Sequence, residues 1–211
     1  MPVTRDSVRR EEVPWETIFD GETLTGWHGF RTPGRAPAGW QAKDAELVRV
    51  AAGDDLVTDR TYANFELTLE WQVADKGNSG ILYRIDPTAN ITYESGPEMQ
   101  VLDDAGHPDG GSRLTAAGSA YGLYPAPPGA VKSAGSWNRV RLLVDGAHVE
   151  HWLNGVKTVE YELWSPDWEA RVKASKFSAW PGYGRSPRGY IGLQDHGDRV
   201  AYRNIRIREL P

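Results

Sequence analysis

The sequence predicts an all-β protein, an antiparallel sandwich or jelly roll. Three observations carry that expectation. Apolar and polar residues alternate in short runs, most clearly Phe65, Leu67, Leu69 and Trp71 against Glu66, Thr68, Glu70 and Gln72. Two hairpin signals, Asp145-Gly146 and Asn154-Gly155, bracket the run HVEHWL. No helical pattern of ordinary length and no fixed repeat occurs, while 23 Gly and 14 Pro supply many turns.

Taken in order, residues 1–14 are polar and aperiodic, which predicts a loose arm, with a single domain over 15–211. Residues 15–27 place the turn signals Asp20-Gly21 and Gly26 between apolar side chains. A Gly/Pro loop then runs to Trp40. Residues 40–50 alternate as one strand, 53–58 read as a turn and a short strand, and 62–73 contain the half-buried strand above. KGNSG (76–80) turns the chain into a second strand at 81–85, and 98–103 is a third. Residues 104–136 are rich in Gly, Pro, Ala and Ser. So long an irregular stretch in a compact domain is more often functional than idle. Strands at 137–144, 148–153 and 156–161 follow, a hairpin pattern typical of lectin-like sandwiches. Residues 162–178 leave room for one short helix, and strands at 190–193 and 200–207 close the chain.

Composition narrows the function. A net charge of −5 with no basic block argues against nucleic acid as a partner. The absence of cysteine excludes disulfides, thiol catalysis and Cys-ligated metals. No apolar run has the length of a signal peptide or a membrane span. A soluble, cytoplasmic protein is expected, or a periplasmic or secreted one if a leader was trimmed. No organic cofactor is expected, since neither GxGxxG nor a P-loop is present, and no GxSxG elbow frames a nucleophilic serine. Nine Trp is heavy usage; some will be core, but indole rings also stack on the apolar faces of sugars.

Strand faces supply the candidate site. Tyr190-Ile-Gly-Leu-Gln-Asp-His-Gly ends an apolar strand in three polar side chains, and alternation sets Gln194 and His196 on one face and Asp195 on the other. Imidazole can move protons near neutral pH. Arg84 shares a face with Gly80 and Leu82, Glu98 with Gln100, and Glu150 with Trp152. Together Arg84, Glu98, Gln100, Glu150, Gln194 and His196 could line the floor of a curved sheet, with Trp or Tyr rings at its edge. Taken singly, each is better explained as a solvent-facing strand residue. Asp103, Asp104 and His107 cluster in LDDAGHPD and could hold a divalent cation, although the spacing matches no zinc signature. Lys176 is a lone basic residue with the same ambiguity.

The set GNSGILYR (77–84), GPEMQVLDDAGHPD (96–109), AGSAYGLYP (117–125), HWLNG (151–155), SKF (175–177) and YIGLQDHGDRVAYRNIRIREL (190–210) resembles the 3-keto-disaccharide hydrolase domain family, and FDGETLTGW (19–27) resembles its N-terminal signature. The resemblance runs in order from about residue 15 to the end of the chain. It implies a concanavalin-like jelly roll and action on 3-keto glycosides: base removal of the C2 proton, elimination of the C1 substituent, and addition of water or release of the enone. On that chemistry His196 is the expected base, and Glu98 the acid or a metal ligand. Arg84, Lys176 or a divalent cation would stabilise the enolate. Gln100, Gln194 and Glu150 would hold hydroxyls, and Tyr83, Tyr121 or Trp152 would stack on the sugar. Asp103 and His107 would bind a metal or orient the base. A small-molecule carbohydrate is the expected partner, and exposed strand edges would permit a homodimer. The alternatives are a non-catalytic carbohydrate-binding module and an ordinary sandwich-fold glycosidase.

Overall fold

The computed structural model describes residues 13–211, so the arm expected over 1–14 lies almost wholly outside the described residues. Two antiparallel sheets account for the described strands. The larger runs in the order β11 (Val156–Glu162), β10 (His148–Leu153), β9 (Asn138–Asp145), β6 (Phe65–Val73), β13 (Val200–Glu209), β4 (Glu46–Arg49) and β3 (Trp40–Lys43), with β1 (Glu16–Thr17) also paired to β13. The smaller runs β2 (Trp27–Gly29), β5 (Leu56–Thr58), β12 (Tyr190–Leu193), β7 (Asn78–Ile85) and β8 (Glu98–Leu102). The expected all-β sandwich is what the chain forms.

Period-two alternation builds the core. Phe65, Leu67, Leu69 and Trp71 of β6 face inward with Val140, Leu142 and Val144 of β9. They meet Ile81 and Tyr83 of β7, Met99 and Val101 of β8, and Ile191 and Leu193 of β12. Since those positions point inward, the intervening residues of β7, β8 and β12 stand on the outer face of the smaller sheet.

Two local expectations change. Residues 40–50 are a hairpin and not one strand, because Asp44 and Ala45 take φ of 54° and 60° and reverse the chain between β3 and β4. Ala rarely adopts that conformation, so the pair lacks the Asn-Gly chemistry by which such turns are read. In β7, Arg84 takes φ of 53°, and pairing with β12 shifts register between Tyr190 and Gly192. This irregularity breaks the alternation on which Arg84 was grouped with Gly80 and Leu82.

The expected helix is α1 (Pro166–Ala174), capped by the Ser165 side chain, which accepts from the Trp168 N–H. No helix among the described residues is long and apolar enough to cross a membrane.

Candidate active site

The outer face of the smaller sheet carries a cleft, and β8 makes its floor. Glu98 and Gln100 both point out of β8, opposite Leu82 and Gly80 of β7. Gly80 is required here: a Cβ at that position would lie 2.2 Å from Glu98 Oε1, so its absence gives the carboxyl its place. Residues 118–121 of the long Gly/Pro/Ala segment dock along the free edge of β8. The Gly118 N–H donates to Gln100 O, the Gln100 N–H to Ser119 O, and the Tyr121 N–H to Glu98 O. That docking sets Tyr121 over the floor. The opposite wall comes from the 3-10 turn Lys176–Ala179, which Ser175 caps and Phe177 anchors by stacking on Tyr183 at 4.1 Å. Lys176 Nζ lies 4.5 Å from the centre of the Tyr121 ring. Gln194 and His196 enter as β12 ends, where the Gln194 N–H donates to Gly80 O.

The cleft has two lobes. The inner one, of about 150 Å³, is lined by Asn78, Glu98, Gln100, Tyr121, Lys176 and Phe177. The outer one, of about 260 Å³, is lined by Phe30, Arg31, residues 53–55, residues 90–92 and Asp195. Tyr93, Gln194 and His196 border both. Tyr93 comes from the 3-10 turn Thr92–Glu94 and makes an edge contact with Trp180 at 5.5 Å, closing the aromatic wall.

The inner lobe is electrostatically unusual. Burial pushes the Glu98 carboxyl up to about 8, with the Lys176 charge pulling it down and Asp55 and Asp109 adding to the rise. Among the described residues no hydrogen bond reaches that carboxyl. Gln100 Oε1 is likewise buried without a partner, which is what a site awaiting ligand hydroxyls leaves open. Burial, then Asp109 and Glu98, push the Tyr121 hydroxyl to about 12, so it remains a donor.

Six of the sequence candidates therefore share one cleft: Glu98, Gln100, Tyr121, Lys176, Gln194 and His196. His107 stands at the rim, its ring perpendicular to His196 at 6.4 Å and its Nδ1 accepting from the Asp109 N–H. Asp195 lines the outer lobe together with Gln194 and His196, past the end of β12 where strand alternation no longer applies, and its carboxylate is held by Arg49 at 2.7 Å.

The others lie elsewhere. Arg84 is buried at the end of β7, where Nη2 donates to Gly146 O at 2.6 Å, so it does not reach the cleft. Tyr83 is in the core between the sheets, its hydroxyl 2.9 Å from His151 Nε2, because residue 83 has inward parity. Glu150 and Trp152 share a face as expected, but it is the outer face of the larger sheet, where Trp152 Nε1 donates to Glu150 at 2.8 Å. The Asp103 carboxylate accepts from the Lys76 and Ala105 N–H groups and shapes its own loop. Asp103 and His107 belong to no group of three metal donors among the described residues. The group that does converge is His148, Glu150 and Glu160, whose donor atoms lie within 4.8 Å of one another on the larger sheet, far from the cleft floor in topology.

Sequence reasoning missed Asn78, Tyr93, Asp55 and Phe177. Asn78 was legible by parity, two residues before Gly80. Tyr93 and Asp55 sit in short connections whose place depends on tertiary packing.

A profile described as the 3-keto-alpha-glucoside-1,2-lyase-like domain matches residues 14–208. A "3-keto-disaccharide hydrolase" of Bacteroides thetaiotaomicron is 37% identical over 226 residues, covering 92% of this chain and 78% of that protein. The crystal structure of a candidate glycosyl hydrolase from Parabacteroides distasonis superposes with a TM-score of 0.87 at 33% identity, covering 99% of each chain. A carbohydrate binding module from Bacillus subtilis has a TM-score of 0.56 at 10% identity, covering 88% of this chain and 96% of its own, and shares the fold alone.

Proposed function

The chain belongs to the 3-keto-α-glucoside-1,2-lyase-like family, and from that premise we propose that it cleaves the glycosidic bond of 3-keto glycosides by elimination. A carbonyl at C3 acidifies the C2 hydrogen. His196 takes that proton, and the C2–H electrons pass into an enolate whose oxygen lies against the Lys176 ammonium. The C3 carbonyl re-forms, C1=C2 forms, and the C1–O bond breaks. Protonated Glu98 gives its proton to the departing oxygen. Water added across C1=C2, hydroxyl to C1 and hydrogen to C2, completes hydrolysis and restores both groups. The inner lobe holds the keto sugar against Gln100, Asn78 and Tyr121, and the outer lobe takes the C1 substituent. His196 and Gln194 border both lobes, where the reacting C1–C2 bond would lie.

The observation that carries this reading is Glu98. A buried carboxyl without a hydrogen-bond partner among the described residues, raised to about 8, is protonated at pH 7 and suited to donate. A retaining glycosidase would need a second carboxylate kept ionised as nucleophile. The carboxylates of the outer lobe are engaged by the protein, Asp54 with Arg31, Asp55 with Thr92 and the Asp195 N–H, and Asp195 with Arg49 and the Gly53 N–H. The inner lobe pairs Glu98 with an imidazole and an ammonium. A binding module would have no use for a raised carboxyl beside an exposed histidine.

The test is incubation with a glucoside and with its 3-keto derivative, followed by NMR. Release from the keto compound alone supports elimination. Release from both identifies an ordinary glycosidase, and binding without release identifies a module.

A further inference from the structure

The wall shared by the two lobes is made of side chains that no single element carries. Tyr93 belongs to the turn Thr92–Glu94, while Gln194 and His196 follow β12. Asp55, one residue before β5, bonds to both segments. Its Oδ1 accepts from the Asp195 N–H at 2.8 Å, and its Oδ2 accepts from the Thr92 hydroxyl. Thr92 is only 1% exposed, so that hydroxyl has little access to water as a substitute. From the other side, the Asp195 carboxylate takes the Arg49 guanidinium and the Gly53 N–H, each at 2.7 Å. The stretch from Arg49 to Asp55 thus makes four hydrogen bonds to the His196 turn, through Arg49 twice, Gly53 and Asp55, and one to the Tyr93 turn, through Asp55.

We propose that Asp55 is a positioning residue for the reaction: it fixes the His196 turn against the Tyr93 turn so that the imidazole meets the C2 hydrogen of the bound sugar. The placement rests on His196 acting as the base. The cost of Asp55 argues for a role other than plain stability. Its carboxyl is raised above its ordinary value by burial, against the two hydrogen bonds, and the neighbouring Asp54 and Asp195 charges raise it further. A buried charge in that setting gains little net stability over an apolar replacement, whereas it can specify one arrangement of the groups bonded to it. Two donors from separate segments converge on it, and a carboxylate is the side chain that accepts from both while donating to neither.

The experiment measures kcat and KM on a 3-keto glucoside, with melting temperatures, for the wild type and for Asp55→Ala, Asp55→Asn, Thr92→Val and the Asp55→Ala/Thr92→Val double variant. Asp55→Ala should lower kcat about tenfold to a hundredfold, as a base displaced by roughly an ångström does, while KM changes little. Asp55→Asn keeps an acceptor for the Asp195 N–H and can donate to Thr92, so it should recover most of kcat. Thr92→Val leaves Asp55 in place and should lower kcat severalfold. The double variant should be no worse than Asp55→Ala, since the one bond that Thr92→Val removes is already among the two lost with Asp55. The proposal is overturned if Asp55→Ala leaves kcat unchanged, if Asp55→Asn recovers nothing, or if the losses track melting temperature alone. Should Asp55→Ala fail to fold, Thr92→Val and Asp55→Asn decide on the same criteria. His196→Ala separates the two levels. If it retains activity, the base assignment fails; if it is inactive while the Asp55 and Thr92 variants match the wild type, only the positioning role fails.

Discussion

Glu98 and Glu150 are both glutamates pointing outward from a strand, and they end in opposite electrostatic states. Glu98 sits on the smaller sheet, without a hydrogen-bond partner among the described residues, and burial lifts it to about 8. Glu150 sits on the larger sheet. Burial pulls it upward too, but the Trp152 and Arg141 hydrogen bonds and the Lys157 charge outweigh this and hold it at about 2. The same contrast extends across the two faces. On the larger sheet Glu66 receives both Arg141 and Arg208, Glu70 receives Arg203, and Arg141 and Lys157 cover the Trp152 ring. In the cleft, the Glu98 carboxyl and Gln100 Oε1 have no hydrogen-bond partner among the described residues. Polar residues at alternate strand positions mark an outward face; the lack of protein partners marks a working one.

The largest effects should come from disturbing the unpaired face. His196→Ala should lower kcat on a 3-keto glucoside about a hundredfold or more, the usual consequence of losing a general base. Glu150→Gln on the paired face should leave kcat unchanged in the same assay. Equal losses from both would erase the distinction between the faces. Glu98→Gln should cost a comparable factor at pH 7 and remove the alkaline limb of the wild-type profile, because the acid form is lost as pH rises through about 8.

Lys176→Met should lower kcat roughly tenfold, less than a buried oxyanion donor would, because its ammonium is solvent-exposed.

Stability sharpens the contrast further. Between 4.5 and about 8 the folded protein keeps the Glu98 proton while the unfolded chain has released it, so stability falls as pH rises through that window. Melting temperatures from pH 5 to pH 8 should show that fall, and Glu98→Gln should flatten it. Glu66→Gln should instead destabilise by about 1–3 kcal/mol, by leaving two guanidiniums without their shared carboxylate. It should leave kcat as it is. The smallest effect concerns metal. An ion held by His148, Glu150 and Glu160 lies on the paired face, so a chelator should alter the melting temperature at most, and not cleavage.

Much of the fold was legible because period-two patterning is local. β6, the β9–β11 hairpins, β12 and β13 follow from it directly. The cleft was half legible. Parity put Glu98 with Gln100 and Gln194 with His196, and the family resemblance singled those pairs out from other solvent-facing strand residues. Arg84 was misplaced because a left-handed backbone in β7 cancels parity, and nothing in ILYRI signals it. Glu150 and Trp152 show the other limit: parity tells which residues share a face, but not which sheet owns it. Asp55 and Tyr93 were invisible, since their neighbours lie far off in sequence, with Asp195 140 residues from Asp55.

The central claim is that cleavage proceeds through loss of the C2 hydrogen. A 3-keto glucoside carrying deuterium at C2 tests it directly, with the label followed in the released sugar by NMR beside an enzyme-free control. The account predicts that enzymatic release strips the deuterium into solvent faster than the control exchanges it. Release with the deuterium still on C2, at the same rate as from the unlabelled sugar, would contradict it.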